Sequence, residues 1–285
     1  MKNLLILLIC CAVEHALAQD FTGPDTVSVQ CGTLRLKGLL WHPSGAGPSA
    51  AVIFCHGNYA STSTPGTVDA LLGATTSASL LGAVFARHGY TFFALFRKGV
   101  GLSAGEGDPT LDLLLRAMRE KSLDERNALQ VRLLETDQLE EIQAGVRYLR
   151  ARHDVDSNRM AVIGHSFGGS LALILTEHNP TLKAAVTFGA GAYSWNVSPR
   201  LRQRLTESVA RINAPILLIH AKNDYSTSPA DSLGAVLKRL RSPYSVIIYP
   251  PFGNNNDAGH NFIFLGIPLW EHDVMRFLDA NLRNE

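Results

Sequence analysis

The sequence predicts an α/β protein: a mainly parallel, doubly wound sheet with helices on both faces. Three observations carry this. Residues 50–55 (AAVIFC) are a continuous apolar run and 90–96 (YTFFALF) a second buried strand, the pattern of strands buried on both faces. Leu139, Ile142, Val146 and Leu149 recur at spacings of three and four, which marks one face of a helix. Strand-like and helix-like stretches alternate to the end of the chain, the order that builds parallel crossovers.

The elements follow in order. Residues 26–29 and 33–40 are β-rich and flank Gly32, so an antiparallel hairpin opens the fold. Strand 50–55 leads to a helix at 77–88 and strand 90–96. A helix follows at 139–149, then a strand at 160–163 and a helix at 168–177. Strands at 182–188, 216–221 and 245–249 come next, with helices at 228–241 and 268–282. Residues 104–137 interrupt this alternation. They are helical and amphipathic, and Ser122 followed by Glu125 is a capping-box pattern. Two readings of the segment stay open: a lengthened crossover packed on the body, or a lid over the site. No repeat, low-complexity tract or Pro-rich linker divides the chain, which favours one domain.

The first residues read as a signal peptide. Lys2 supplies the positive end, 4–13 (LLILLICCAV) the apolar run, and Ala16-Leu17-Ala18 a small-x-small cleavage site. The run is too short to span a bilayer, which takes about 20 residues. A buried N-terminal helix fits less well. A lipid anchor on Cys10 or Cys11 is disfavoured, because Ile9 and Cys10 stand where a small residue is wanted. Cleavage after Ala18 leaves a domain of residues 19–285, secreted or periplasmic. It keeps Cys31 and Cys55, free or paired, and export permits a disulfide that the spacing does not demand.

Composition narrows the function classes. The chain has 285 residues, with 26 Lys plus Arg against 25 Asp plus Glu, a formal net charge of +1. That balance gives no long-range field for nucleic acid or an anionic membrane. No Cys-x-x-Cys spacing suggests a metal or redox pair.

The chemistry concentrates at Gly164-His165-Ser166-Phe167-Gly168. This Gly-x-Ser-x-Gly follows the strand MAVI and opens a helix, the context the motif requires. The turn is too tight for side chains at its flanking positions, and it holds the serine hydroxyl exposed at a helix N-terminus. The N–H of Phe167 is then one candidate oxyanion donor. Gly101-Leu102-Ser103-Ala104-Gly105 matches the same pattern, but Asp108-Pro109 breaks any helix after it. Ser103 therefore reads as structural.

A serine nucleophile needs a base, and the base an orienting acid. His260 lies in the polar loop NNNDAGHNF after the last strand, and Asp224 just beyond the strand ILLIHA. Ser166, Asp224, His260 is the expected chain order. Asp224 can also be read as a turn or capping residue, and Asp257 as the acid in its place. The second oxyanion donor is expected from His56-Gly57-Asn58, at the N–H of Asn58. His56 and His165 read as turn-stabilising residues.

These motifs together resemble the α/β-hydrolase superfamily, and within it the dienelactone-hydrolase-like and prolyl-oligopeptidase-like single-domain hydrolases. The resemblance rests on HGN at His56, RKGVGLSAG from Arg97, DVDSNRMAVIGHSFGG from Asp154, AKND at Ala221 and AGH at Ala258. It implies an eight-stranded sheet with only the second strand antiparallel. It also implies acyl transfer through an acyl-serine, without metal or cofactor. True dienelactone hydrolases use a cysteine nucleophile, whereas position 166 is serine. Oligopeptidases of this group carry a large extra domain for which this chain has no room. Both departures point to a carboxylic ester hydrolase acting on a small, uncharged or weakly charged substrate. A neutral imidazole is needed at His260, so activity should fall as acid protonates it. A peptidase or an acyltransferase of the same fold stays open, and a non-catalytic binding protein is disfavoured by the complete triad. Phe188, Tyr193, Trp195, Phe262 and Phe264 are candidate pocket aromatics, with core packing the commoner role. No Arg cluster points to a polyanionic substrate. Asn196-Val197-Ser198 matches a glycosylation acceptor. Oligomeric state is not legible.

Overall fold

The computed structural model describes residues 23–45, 47–62 and 66–283. The expected signal peptide, with Cys10 and Cys11, lies outside the described residues.

Eight strands form one sheet: β1 (Asp25–Cys31), β2 (Leu34–Trp41), β3 (Ser49–Cys55), β4 (Thr91–Leu95), β5 (Val155–His165), β6 (Ala184–Phe188), β7 (Ile216–Ala221) and β8 (Tyr244–Tyr249). Their spatial order is β1-β2-β4-β3-β5-β6-β7-β8. β2 pairs antiparallel with β1 and β4, and the remaining pairings are parallel. The second strand alone therefore runs against the others, as the resemblance implies.

The apolar runs are explained by burial on both faces. In β3, Ala51, Ile53 and Cys55 join one core layer, while Ala50, Val52 and Phe54 join the other. β4 divides in the same way, Phe93 and Leu95 against Phe92 and Ala94. The first layer is covered by α4 (Asp137–Arg150), α5 (Phe167–His178), α6 (Pro199–Val209) and α7 (Ser228–Leu240). The helical stripe Leu139, Ile142, Val146 and Leu149 is buried there. The second layer is covered by α1 (Val68–Arg87) and α10 (Ile267–Leu282). Each large apolar side chain so buried contributes about 1.5–3 kcal/mol.

Several boundaries differ from expectation. α1 begins at Val68 rather than at residue 77. Thr67 Oγ1 caps it by accepting from the Ala70 N–H, and Gly73, at φ +65°, breaks its regularity. The expected helix is thus the part beyond the break. Ala70–Arg87 is long and apolar enough to cross a membrane, yet Ala74, Ala78, Leu81 and Phe85 pack on the sheet. The loop expected around His260 holds a short helix, α8 (Asn256–His260), capped by Asn255. α9 (Phe262–Leu265) follows it.

The 104–137 segment forms α2 (Thr110–Glu120) and α3 (Leu123–Glu135), after a 3₁₀ turn at Gly101–Glu106. Ser122 Oγ accepts from the Glu125 N–H, so the expected cap is present. α3 buries Leu133 and Leu134 and packs on α5 and α6. α2 lies over the C-terminal edge of the sheet with Leu111, Leu114, Leu115 and Met118 toward the site. The segment therefore packs on the body and roofs the site at once.

Cys31 and Cys55 are free and buried. Burial pushes the Cys55 thiol up to about 12 against the opposing charge of Arg97. Burial, followed by Glu140 and Glu141, also raises Cys31. Since the thiolate is the reactive form, neither should react with dithiobis(nitrobenzoate) at pH 8 in the native domain, and both should titrate at once in denaturant. Rapid native labelling of either would contradict this placement.

Candidate active site

Ser166 sits on the turn between β5 and α5, at φ 56° and ψ −117°. A non-glycine residue in this region costs about 1–3 kcal/mol, so the surroundings must impose it. The Ser166 N–H donates to the Phe188 carbonyl at 2.8 Å, and its own carbonyl accepts from the Gly169 and Ser170 N–H groups. A Cβ at Gly164 would strike the Gly168 carbonyl, and one at Gly168 would strike the carbonyls of Cys55 and His56. Both motif glycines are thus fixed by close backbone approach.

The three expected residues meet in one hydrogen-bonded line. His260 Nε2 lies 2.8 Å from Ser166 Oγ. His260 Nδ1 lies 2.6 Å from Asp224 Oδ1. An ionised carboxylate only accepts, so Nδ1 carries the proton and Nε2 faces the hydroxyl with its lone pair. Asp224 is held from three sides. Besides His260, the Tyr225 N–H donates to Oδ1 at 2.7 Å, and His220 Nδ1 donates to Oδ2 at 2.9 Å. Burial alone would raise its carboxyl. The charge interaction with His260 and the bonds from His220 and His260 outweigh burial and hold it below the usual carboxylate range. Gly189, at φ +61°, makes room for this pair. A Cβ there would lie 3.0 Å from both Asp224 Oδ2 and the His260 ring.

The alternative acid, Asp257, is used elsewhere: its Oδ2 accepts from the Val68 N–H at the start of α1. Ser103 is buried, and its Oγ accepts from the Lys37 N–H at 2.8 Å, a structural bond. His165 donates through Nε2 to the His260 carbonyl at 3.0 Å. Burial, then the neighbouring His260, pushes its imidazole down to about 3, so it stays a neutral brace. His56 is likewise held well below its ordinary value, first by burial and then by Arg97.

Asn58 and Phe167 line the same pocket as Ser166 and His260. A Cβ at Gly57 would lie 3.6 Å from the Ser166 Cβ, so this loop touches the nucleophile. The pocket has a volume of about 300 Å³. Of the five candidate aromatics, Tyr193 lines it. Phe188, Trp195, Phe262 and Phe264 are buried in the core. Tyr225 also lines it, its ring 5.1 Å from that of His260. A further lining residue comes from α3: Arg126, 8% exposed, whose Nη1 donates to Asn127 Oδ1, Gln130 Oε1 and Ser194 Oγ. Among the described residues no carboxylate lies within ion-pair distance of it.

Sequence reasoning missed His220, Arg126 and Tyr225. His220 had a readable signal, since a polar residue inside the buried run ILLIHA must find a partner. Arg126 had none, because a charge on an amphipathic helix reads as solvated.

Fold and site geometry together define an α/β-hydrolase. The dienelactone hydrolase family model matches residues 67–264, and the chain belongs to that family. Curated relatives from Escherichia coli K12 and Salmonella typhi, assigned by name as carboxymethylenebutenolidases, are 30% and 29% identical over 115 residues. The match covers 39% of this chain and only 40% of the length of each relative. Among solved structures, a dienelactone hydrolase from Anabaena variabilis superposes with a TM-score of 0.60 at 19% identity, covering 92% of this chain and all of the other. The Pyrococcus horikoshii acylaminoacyl peptidase superposes with a TM-score of 0.65 at 15% identity, covering 96% of this chain and 44% of the other. Identities this low speak for the fold.

The depressed carboxyl of Asp224 gives a signed prediction. Its folded value lies below the unfolded value of about 3.9. Its stabilisation is therefore complete above that value and is lost as pH falls through the folded one. Melting temperature followed from pH 6 to pH 3 should drop below about pH 4. Asp224→Asn should melt lower at pH 6 and fall less steeply in acid. Parallel curves would show that Asp224 is not the group responsible.

Proposed function

We propose that this chain hydrolyses carboxylic esters through an acyl-Ser166 intermediate. One observation carries the reading: the unbroken line Asp224–His260–Ser166 opens into a partly apolar pocket. His260 Nε2 takes the Ser166 Oγ proton as the oxygen attacks the ester carbonyl. Asp224 orients the imidazole and stabilises its charged form. The N–H groups of Asn58 and Phe167 hold the oxyanion, a contribution of about 3–4 kcal/mol per donor in comparable sites. His260 then protonates the leaving alcohol, and water repeats the sequence on the acyl-enzyme. Membership of the dienelactone hydrolase family supports ester chemistry.

The pocket also suggests the kind of ester. Leu111, Leu114, Leu115 and Met118 supply an apolar wall, and Arg126 a buried guanidinium without a carboxylate partner among the described residues. A buried cation left with neutral acceptors favours an anionic ligand group. The relatives' name, carboxymethylenebutenolidase, denotes a cyclic ester bearing a carboxylate. We therefore read the substrate as a compact ester with a carboxylate remote from the scissile bond, a more charged group than the near-neutral composition suggests.

Purified protein should be offered p-nitrophenyl butyrate, p-nitrophenyl hemisuccinate and a matched anilide. Turnover should favour the hemisuccinate, and Ser166→Ala should abolish it. Arg126→Met should lower kcat/KM for the hemisuccinate about tenfold or more while sparing the butyrate. Survival of turnover in Ser166→Ala sinks the triad. Preference for the anilide would make the chain a peptidase.

The proposal includes export, supported by the charged, apolar and small-x-small order of residues 1–18. Protein recovered from the medium or periplasm of an expressing cell should begin at Gln19. Recovery of uncleaved chain from the cytosol alone would refute this.

A further inference from the structure

Arg97 follows β4 and is 1% exposed. Burial lowers its guanidinium to about 10, which leaves it cationic at neutral pH. Among the described residues no carboxylate lies within ion-pair distance. Its donors go instead to neutral acceptors, Nε to His56 Nε2 at 3.3 Å and the others to oxygens. Nη1 bonds Gln138 Oε1 at 2.7 Å. Nη2 bonds the His56 carbonyl at 2.5 Å and the Gly57 carbonyl at 2.9 Å. Its guanidinium also lies over the Phe167 ring, 5.1 Å from the centroid.

The Gly57 carbonyl has a second donor. The Arg97 backbone N–H donates to His56 Nε2 at 3.1 Å, so that nitrogen is the acceptor and the proton sits on Nδ1. His56 Nδ1 then donates to the Gly57 carbonyl at 2.7 Å. Two N–H groups, one of them cationic, therefore converge on one peptide oxygen. The nitrogen of that same peptide is Asn58 N, whose N–H is the oxyanion donor proposed above.

We propose that Arg97, acting with His56, is the positioning residue that orients and polarises the oxyanion-hole peptide Gly57–Asn58. This rests on the ester-hydrolase reading of the site. A peptide unit is one conjugated plane, so fixing its oxygen fixes the direction of its N–H. Drawing electron density toward the oxygen leaves the N–H more positive, and hydrogen bonds in series strengthen one another. The same guanidinium packs on Phe167, the residue supplying the other N–H. One buried cation thus braces both halves of the hole, while the neighbouring carboxylate of Glu141 interacts with it from beyond ion-pair distance. A brace of this kind favours the tetrahedral state over the bound ester, because negative charge gathers on the oxygen only in the former.

The test compares wild type, Arg97→Met and Arg97→Lys by kcat and KM on p-nitrophenyl butyrate. It adds the dissociation constant of a phenylboronic acid, which forms a tetrahedral adduct on the serine. Thermal melting selects the folded variants. Arg97→Met should lose about ten- to a hundredfold in kcat with KM within about threefold. Boronate affinity should fall in parallel. Arg97→Lys, which keeps a cationic donor, should recover part of both. A folded Arg97→Met protein with unchanged kcat and boronate affinity overturns the proposal, as does a change confined to KM. If Arg97→Met does not fold, Arg97→Lys decides alone: loss of kcat and boronate affinity together supports the proposal, and loss of neither overturns it. A wild-type protein without ester turnover refutes the ester-hydrolase reading itself, an outcome distinct from a competent wild type indifferent to Arg97.

Discussion

The buried carboxylate of Asp224 is the group around which the site is arranged. An isolated anion in this position would be strongly unfavourable, and desolvation alone would protonate it. Three N–H donors reverse that outcome, from His220, His260 and Tyr225. Their placement is a consequence of the sheet. His220 is inside β7 and paired with Ile248 of β8, so strand pairing fixes the backbone from which its ring reaches Asp224. Asp224 follows β7 by a short turn, with its N–H bonded to the Ala221 carbonyl. The carboxylate is thus oriented from the framework side before it meets the His260 imidazole. Gly189, at the end of β6, leaves the space that both groups occupy.

Strain at Ser166 is the second constraint, and the parallel sheet also meets it. The nucleophile's N–H is tied to the end of β6, and the glycine on either side lets β3, β5 and α5 close in. His165, beside the serine, reaches across to the His260 carbonyl. Ser166 and His260 are therefore connected by two routes, through Ser166 Oγ and through the backbone behind it.

The sheet was legible because buried strands must be apolar on both faces, and the runs AAVIFC and YTFFALF have few alternatives. The triad was legible because its residues fall at three strand ends in the required order, and strand ends are where a parallel sheet exposes polar groups. Boundaries were less so. α1 starts early because Thr67 supplies a cap and Gly73 allows a break, and neither residue announces this in a Ser/Thr/Gly-rich stretch. The acid was ambiguous between Asp224 and Asp257 because both sit in polar loops. Only the fold shows that Asp257 is committed to the start of α1. Four of the five aromatics take the commoner role, core packing, since a Phe or Trp at a strand end packs inward as readily as into a cleft.

The least legible features are the buried charges, and they matter most to the chemistry. A net charge of +1 describes the field at a distance and says nothing of the interior. Arg97 and Arg126 are both buried, and both bond neutral oxygens. Arg97 lies behind the Gly57 loop and over the Phe167 ring, and Arg126 lines the pocket from the helical roof. Composition counts them with solvent-exposed arginines such as Arg200, whose partner Asp124 is also exposed. Burial separates the classes. An exposed ion pair contributes about 0–1 kcal/mol, whereas a buried cation outside ion-pair distance of a carboxylate acts through a low dielectric on whatever negative charge approaches it. On the readings proposed above, those charges are a transient oxyanion beside the Gly57–Asn58 peptide and a substrate carboxylate beside Arg126. A formal net charge of +1 is thus compatible with two buried cations, one behind the Gly57 loop and one in the helical roof.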